Sequence, residues 1–173
     1  LTLASNRLSD VPKFPAGLLN GACLTALVLA NNNLEGRLNK RITKLAHLRL
    51  LDLRCNRLTE LPRQLAALTH LEELRLDHNQ LKSVPAGVVQ LRSVKITSNG
   101  NPMPAYLRRL FDCWDSHELD LSGFGLSSLP EELVLLAPAL THLVRLSLAR
   151  NTFTCLSPNI SQLTSLTSLD LSD

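Results

Sequence analysis

The sequence predicts an α/β solenoid of stacked repeats, and three observations lead there. One phrase recurs along the 173 residues. Each copy alternates leucines in an L-x-L run, and each copy then changes to apolar residues three apart, often after a proline. "LRLLDLRCNRLTELPRQLAALTH" begins at Leu48 and "LEELRLDHNQLKSVPAGVVQLRS" at Leu71. "LTALVLANNNLEGRLNKRITKLAH" from Leu24 and "LVRLSLARNTFTCLSPNISQLTS" from Leu143 keep the same frame.

The L-x-L run predicts a short strand, because alternate side chains on a strand point to one side and both leucines then share a face. The i, i+3 spacing that follows predicts a helical turn or short helix. Taking one leucine of the phrase as marker gives Leu1, Leu27, Leu51, Leu74, Val94, Leu119, Leu146 and Leu169, at intervals of 26, 24, 23, 20, 25, 27 and 23 residues. A single copy cannot bury its leucines, so the copies must stack and share one core. Each buried leucine then contributes roughly 1.5–3 kcal/mol before entropic costs.

Five residues after the marker stand Asn6, Asn32, Asn56, Asn79, Asn99 and Asn151. An amide both donates and accepts, so an inward-facing asparagine can satisfy backbone groups exposed where each strand turns away. Phe124 takes that place in "LDLSGFGL", which predicts one apolar rung.

The L-x-x-L-x-L-x-x-N-x-L frame resembles the leucine-rich-repeat family along essentially the whole chain. The resemblance implies a curved right-handed horseshoe with a parallel sheet on its concave face, short helices or turns on its convex face, and the asparagines as a ladder. "LTELPRQLAAL" and "LSSLPEELVLL" are similar to the intracellular Ras-group-related, or Ras-suppressor-like, subtype with its LPxxL wording. "NNLEGRLNKRI" resembles a plant-type repeat without its proline. The expected organisation is a single domain over residues 1–173, of about seven to eight repeats, truncated at both ends and with an irregular junction at 94–118. Unfinished end repeats need covering, so the isolated chain is expected to fray or aggregate through Leu1–Leu3 and Leu169–Leu171.

Composition narrows the function. Hydrophobic residues make up 45% and aromatics 3%, so the core is aliphatic. Lys and Arg total 18 against 15 Asp and Glu, with both signs scattered, which argues against nucleic acid and acidic membranes as partners. Cys23, Cys55, Cys113 and Cys155 are too far apart for a compact disulfide framework or a CxxC pair and are read as reduced thiols. No apolar run reaches the length of a membrane helix, and a cytoplasmic location is expected.

Residues that could carry chemistry fit the repeat better. His47, His70 and His142 each precede the first leucine of a copy, which makes them shared turn residues rather than a positioned base. "SGFGLSS" lacks the last glycine of a nucleotide loop, and Ser128 with Glu131 reads as a helix capping box. Asp112, Cys113, Asp115 and His117 crowd together but offer only one thiol and one imidazole, too few for an ordinary zinc site. Neighbouring Trp114 is expected to pack. Arg108 and Arg109 are a lone basic pair, and Asn159-Ile160-Ser161 is treated as an incidental glycosylation triplet. No catalytic residue, cofactor, metal or small-molecule substrate is assigned.

A partner has a natural place on the sheet, where residues between the buried leucines point outward. One row is read as Val28, Asp52, Arg75, Lys95, Asp120, Ser147 and Asp170, and the next as Ala30, Arg54, Asp77, Thr97, Ser122, Ala149 and Ser172. Glu72, Glu73, His78 and Arg92 flank them. The expected partner-binding set is Asp52, Arg54, Glu73, Arg75, Asp77, His78, Lys95 and Asp120, a mixed-sign patch suited to a protein surface. The expected function is a noncatalytic protein–protein recognition module or scaffold. The alternatives are the recognition arm of a larger signalling enzyme (kinase, GTPase or ubiquitin ligase) or a fragment of an extracellular receptor.

Overall fold

The computed structural model describes residues 1–14, 24–89, 91, 94–113, 116–137 and 140–173. Two compact units emerge, Leu1–Met103 and Pro104–Asp173. In the first, strands β1 (Ala26–Val28), β3 (Leu50–Asp52), β5 (Glu73–Arg75) and β6 (Lys95–Thr97) form a parallel sheet in that order. Its register aligns Leu27, Leu51, Leu74 and Ile96. Strands β2 (Glu35–Arg37) and β4 (Arg57–Glu60) make a second parallel pair in the same unit. In the other unit, β7 (Glu118–Asp120), β8 (Arg145–Ser147) and β9 (Ser168–Asp170) align Leu119, Leu146 and Leu169.

Each strand is short because the chain leaves it at a fixed place. Four residues past the marker, counted from Ile96 on β6, the backbone turns left-handed in seven copies: Ser5, Asn31, Cys55, His78, Gly100, Gly123 and Arg150 have φ between 52° and 71°. That residue still donates its N–H to the next copy, as in Asn31 to Arg54, Cys55 to Asp77 and His78 to Asn99, at 2.7–2.9 Å. The glycine of "SGFGLSS" that suggested a nucleotide loop, Gly123, thus occupies a turn position shared with six other copies. The following helix starts only at Glu131.

The return segments are compact turns. Lys40–Lys44, Arg63–Ala67 and Pro158–Gln162 form 3-10 turns, and α1 (Ala86–Val89), α2 (Ala105–Asp112) and α3 (Glu131–Leu136) are helical. Pro62, Pro104 and Pro130 stand at the cap position with ψ of 136–138°, so the fixed proline φ prepares each entry. Asn39 and Ser157 cap their turns by accepting from Arg41 N and Asn159 N. The expected capping box does not form: Pro130 is the cap residue of α3, and it makes no side-chain cap bond.

Between strands and turns lies the aliphatic core. Leu27, Leu29, Leu51, Leu53, Leu74 and Leu76 are completely buried, as are Ile42, Leu65 and Val88 from the return segments. In the second unit Leu119, Leu121, Leu146 and Leu148 meet Leu107, Leu133, Leu140 and Leu163 in the buried set. Leu1, Leu169 and Leu171 are exposed.

The register of β6 differs from the expected one. Ile96, not Val94, pairs with Leu74, so the spacings on either side become 22 and 23 residues, within the ordinary period. The ladder rung moves with it: Asn101 donates to Leu76 O at 2.9 Å and Ser98 O at 3.0 Å, and its Oδ1 accepts from Leu81 N at 3.0 Å. Asn32, Asn56, Asn79 and Asn151 make the same three kinds of bond. Asn99, the expected rung, is exposed instead. The misreading has a clear cause: Ser98, 5% exposed, stands where other copies place a leucine. Phe124 is half-buried between Gly123 and Gly125, both left-handed, in place of a bonded amide.

Candidate interaction surface

The outward positions of β3, β5 and β6 bring most of the expected site together. Asp52 lies beside Arg75 across the strand pair, and Glu73 beside Lys95. Lys95 therefore belongs to the row of Glu73 rather than to that of Asp52 and Arg75, where Thr97 now stands. The same shift puts Asn99 next to Asp77 in the row of Arg54.

The charges are arranged unequally. Asp52 is almost wholly covered, its side chain 1% exposed, while Arg54 is 43% and Arg75 33% exposed. Arg54 donates from Nη2 to Asp52 Oδ2 at 2.7 Å and from its backbone N to Oδ1 at 3.1 Å, and Arg75 Nη1 approaches Oδ2 at 3.7 Å. Burial pushes the Asp52 carboxyl up, but the Arg54 side chain and backbone, then the charges of Arg54 and Arg75, outweigh it and hold the group below its ordinary value. Arg75 forks onto Glu73, with Nε to Oε1 and Nη2 to Oε2 both at 2.9 Å. That bond chiefly lowers the Glu73 carboxyl, with Lys95 adding to it.

Asp77 is also committed. Its Oδ2 accepts from the Thr97 hydroxyl and its Oδ1 from Asn99 N at 2.8 Å. Burial pushes this carboxyl up, and the Thr97 and Asn99 donors prevail and lower it. His78 stands at the left-handed position, and its ring packs so closely on Gly100 that a Cβ there would lie 2.6 Å from Nδ1. Asn31, Cys55, Asp77, His78 and Asn99 line an open depression with Arg54. The sequence reads Asn99 as a ladder rung and Cys55 only as a reduced thiol, and assigns Asn31 no role, so it places none of the three on this surface.

Asp120 belongs to the second unit. There it accepts Ser122 N at 2.9 Å, as Asp52 accepts Arg54 N and Asp170 accepts Ser172 N. The Ser122 bond is the main reason its carboxyl is lowered. Its neighbours Glu118 and Arg145 pair at 2.9 Å. The recurring aspartate of "LDL" is thus a clasp on the strand exit as well as a surface charge. Arg92 lies outside the described residues.

Among the other chemical candidates, the His117 ring meets the His142 ring edge-on with centroids 6.2 Å apart. Cys113 is buried, with Sγ donating to Leu110 O at 3.2 Å, while His117 is exposed. Trp114 and Asp115 lie outside the described residues, so the expected packing of Trp114 does too. His47 and His70 face each other with ring centroids 5.6 Å apart, and His142 Nε2 lies 3.0 Å from Cys113 O. Among the described residues no group of three or more His, Cys, Asp or Glu side chains could hold a metal ion. No helix among them is long and apolar enough to cross a membrane.

Comparisons with known proteins agree with the repeat fold. Residues 22–81 match the family described as "Leucine rich repeat". The chain is 33% identical over 120 residues to a leucine-rich repeat and calponin homology domain-containing protein of Drosophila melanogaster, covering 69% of this chain and 14% of the relative. It is 31% identical over 93 residues to the human PH domain leucine-rich repeat-containing protein phosphatase 1, covering 53% of this chain and 5% of that protein. Among solved structures, a leucine-rich-repeat protein of Leptospira interrogans covers 99% of this chain at 25% identity and a TM-score of 0.53, with 54% of its own length matched. An internalin of Listeria monocytogenes shares the fold at 18% identity and a TM-score of 0.50, again over 99% of this chain and 41% of the neighbour.

Proposed function

We infer that a chain built on leucine-rich repeats in an α/β solenoid, as its fold and the family match over residues 22–81 support, is a noncatalytic recognition module that holds a protein partner on its strand face. The observation that carries this reading is the register of β3, β5 and β6, which sets Arg54, Glu73, Arg75, Asp77 and Lys95 side by side on one outward surface. Packing of the leucines fixes that surface, so a partner meets side chains already ordered and loses less entropy on binding. The LPxxL wording at Pro62 and Pro130, where proline opens the return segment, supports the Ras-group-related subtype and with it a cytoplasmic scaffold.

A second reading, the recognition arm of a larger signalling enzyme, draws on the partial likeness to a protein phosphatase. The chain spans only 5% and 14% of the two curated relatives, so their whole activities are not carried over.

Photo-crosslinking tests the surface. A crosslinking residue in place of Thr97 should capture a polypeptide partner, and the same residue in place of Gln64, on an exposed return turn, should not. Equal capture from both positions, or capture from Gln64 alone, would remove the strand face as the docking surface.

A further inference from the structure

The basic side chains of the first unit lie on a diagonal. Arg54 stands three residues past the marker on β3, Arg75 one residue past it on β5, and Lys95 one residue before it on β6. Each step moves one strand across and two residues back, so successive Cα atoms are about 8 Å apart, given strand spacings of ~4.8 Å and rises of ~3.3 Å per residue. The carboxylates sit beside this line but are turned away from solvent or already used. Asp52 is 1% exposed beneath Arg54 and Arg75, Glu73 is 25% exposed and forked by Arg75, and Asp77 accepts from Thr97 and Asn99. What solvent meets is mainly donors: the outer guanidinium edge of Arg54, the partly exposed head of Arg75 and the ammonium of exposed Lys95.

Formal charge on these six residues cancels, yet what is presented outward does not. We propose that this diagonal of Arg54, Arg75 and Lys95 receives an extended acidic polypeptide segment whose carboxylates recur at every second residue. Side chains two apart on an extended chain share a face and repeat at roughly 6.6 Å, close enough for long Glu and Arg side chains to span the difference. Arginine suits the role because a guanidinium already held on one edge can still donate from the other. Glu73 and buried Asp52 are then positioning residues: Asp52 fixes the Arg54 head and Glu73 the Arg75 head.

The inference rests on the strand-face reading above and gives its partner a chemistry. Fluorescence anisotropy with a dye-labelled Glu-Ser-Glu-Ser-Glu peptide, its Lys-for-Glu counterpart, a Glu-Glu-Glu-Ser-Ser peptide and a short thymidine oligonucleotide tests it. The alternating acidic peptide should bind tightest and weaken with added salt. Lys95→Glu should weaken it by about fivefold or more, as expected for reversing a partly exposed charge contact, and Lys95→Met by less. Lys82→Glu, exposed and off the diagonal, should leave binding unchanged, with circular dichroism confirming that all variants fold. Equal or tighter binding of the basic peptide or the oligonucleotide, failure of all probes to bind, or indifference to Lys95→Glu would overturn the proposal. Equal binding of the clustered peptide would overturn the spacing. If crosslinking from Thr97 persists in any of those cases, the acidic partner falls and the strand-face reading stands.

Discussion

The Arg54 guanidinium clasps the Asp52 carboxylate, Nη2 2.7 Å from Oδ2 and Nε 3.0 Å from Oδ1, with the acid covered and the base half in solvent. Burial alone would favour the neutral acid, and the Arg54 bonds reverse that preference. A folded-state pKa below the unfolded value, about 3.9, means that the stability gained is present in full above that pH and is lost as pH falls through the folded value. Glu73 and Asp77 shift in the same direction. The urea midpoint should therefore hold steady through neutral pH and fall below about pH 4. Arg54→Met should raise the Asp52 pKa, and so lower the midpoint at neutral pH and make its fall in acid shallower. An acid profile identical to that of the parent protein would mean that the clasp contributes nothing.

Gly100 answers two demands at once. Its φ of +68° is unfavourable for other residues, and a Cβ would lie 2.6 Å from His78 Nδ1. Gly100→Ala should cost more than about 1 kcal/mol. In a His78→Ala background the ring no longer obstructs the new methyl group, so the penalty should shrink toward the backbone part. A double-mutant cycle by urea denaturation checks this, and an unchanged penalty would assign the whole effect to φ.

The period of the repeat was legible because leucine burial imposes it: a strand face and a return turn each need apolar residues at fixed spacing. One register was not. Ser98 fills a leucine position under β6, and two asparagines, Asn99 and Asn101, stand two residues apart. Either could complete the phrase, and only the bonds to Leu76 O and from Leu81 N select Asn101. The expected site was legible as a set of outward residues, since alternation dictates which side chains leave the sheet. Which charges remain outward was not legible, because that depends on Asp52 being covered while Arg54 and Arg75 fold over it.

This choice of rung predicts opposite outcomes for neighbouring asparagines. Asn101→Ala would strand the Leu81 N–H and the carbonyls of Leu76 and Ser98 in a buried site, at roughly 1–3 kcal/mol. Asn99→Ala removes an exposed amide and should cost well under ~1 kcal/mol. Urea midpoints of the two variants decide the matter, and reversed magnitudes would restore the register that begins at Val94.

Leu53 and Leu171 occupy the same place in their repeats, two residues past the marker, with contrasting surroundings. Leu53 is fully buried and Leu171 is 47% exposed. Leu53→Ala opens a cavity among packed leucines that cannot collapse around it, and should cost about 2–5 kcal/mol. Leu171→Ala removes a side chain still half in water, so much of its transfer energy is unrealised, and the loss should stay below ~1 kcal/mol. Chemical denaturation of both variants separates the position in the phrase from the packing it receives: equal losses would show that the phrase alone sets the energy, and an unchanged Leu53→Ala midpoint would take Leu53 out of the core.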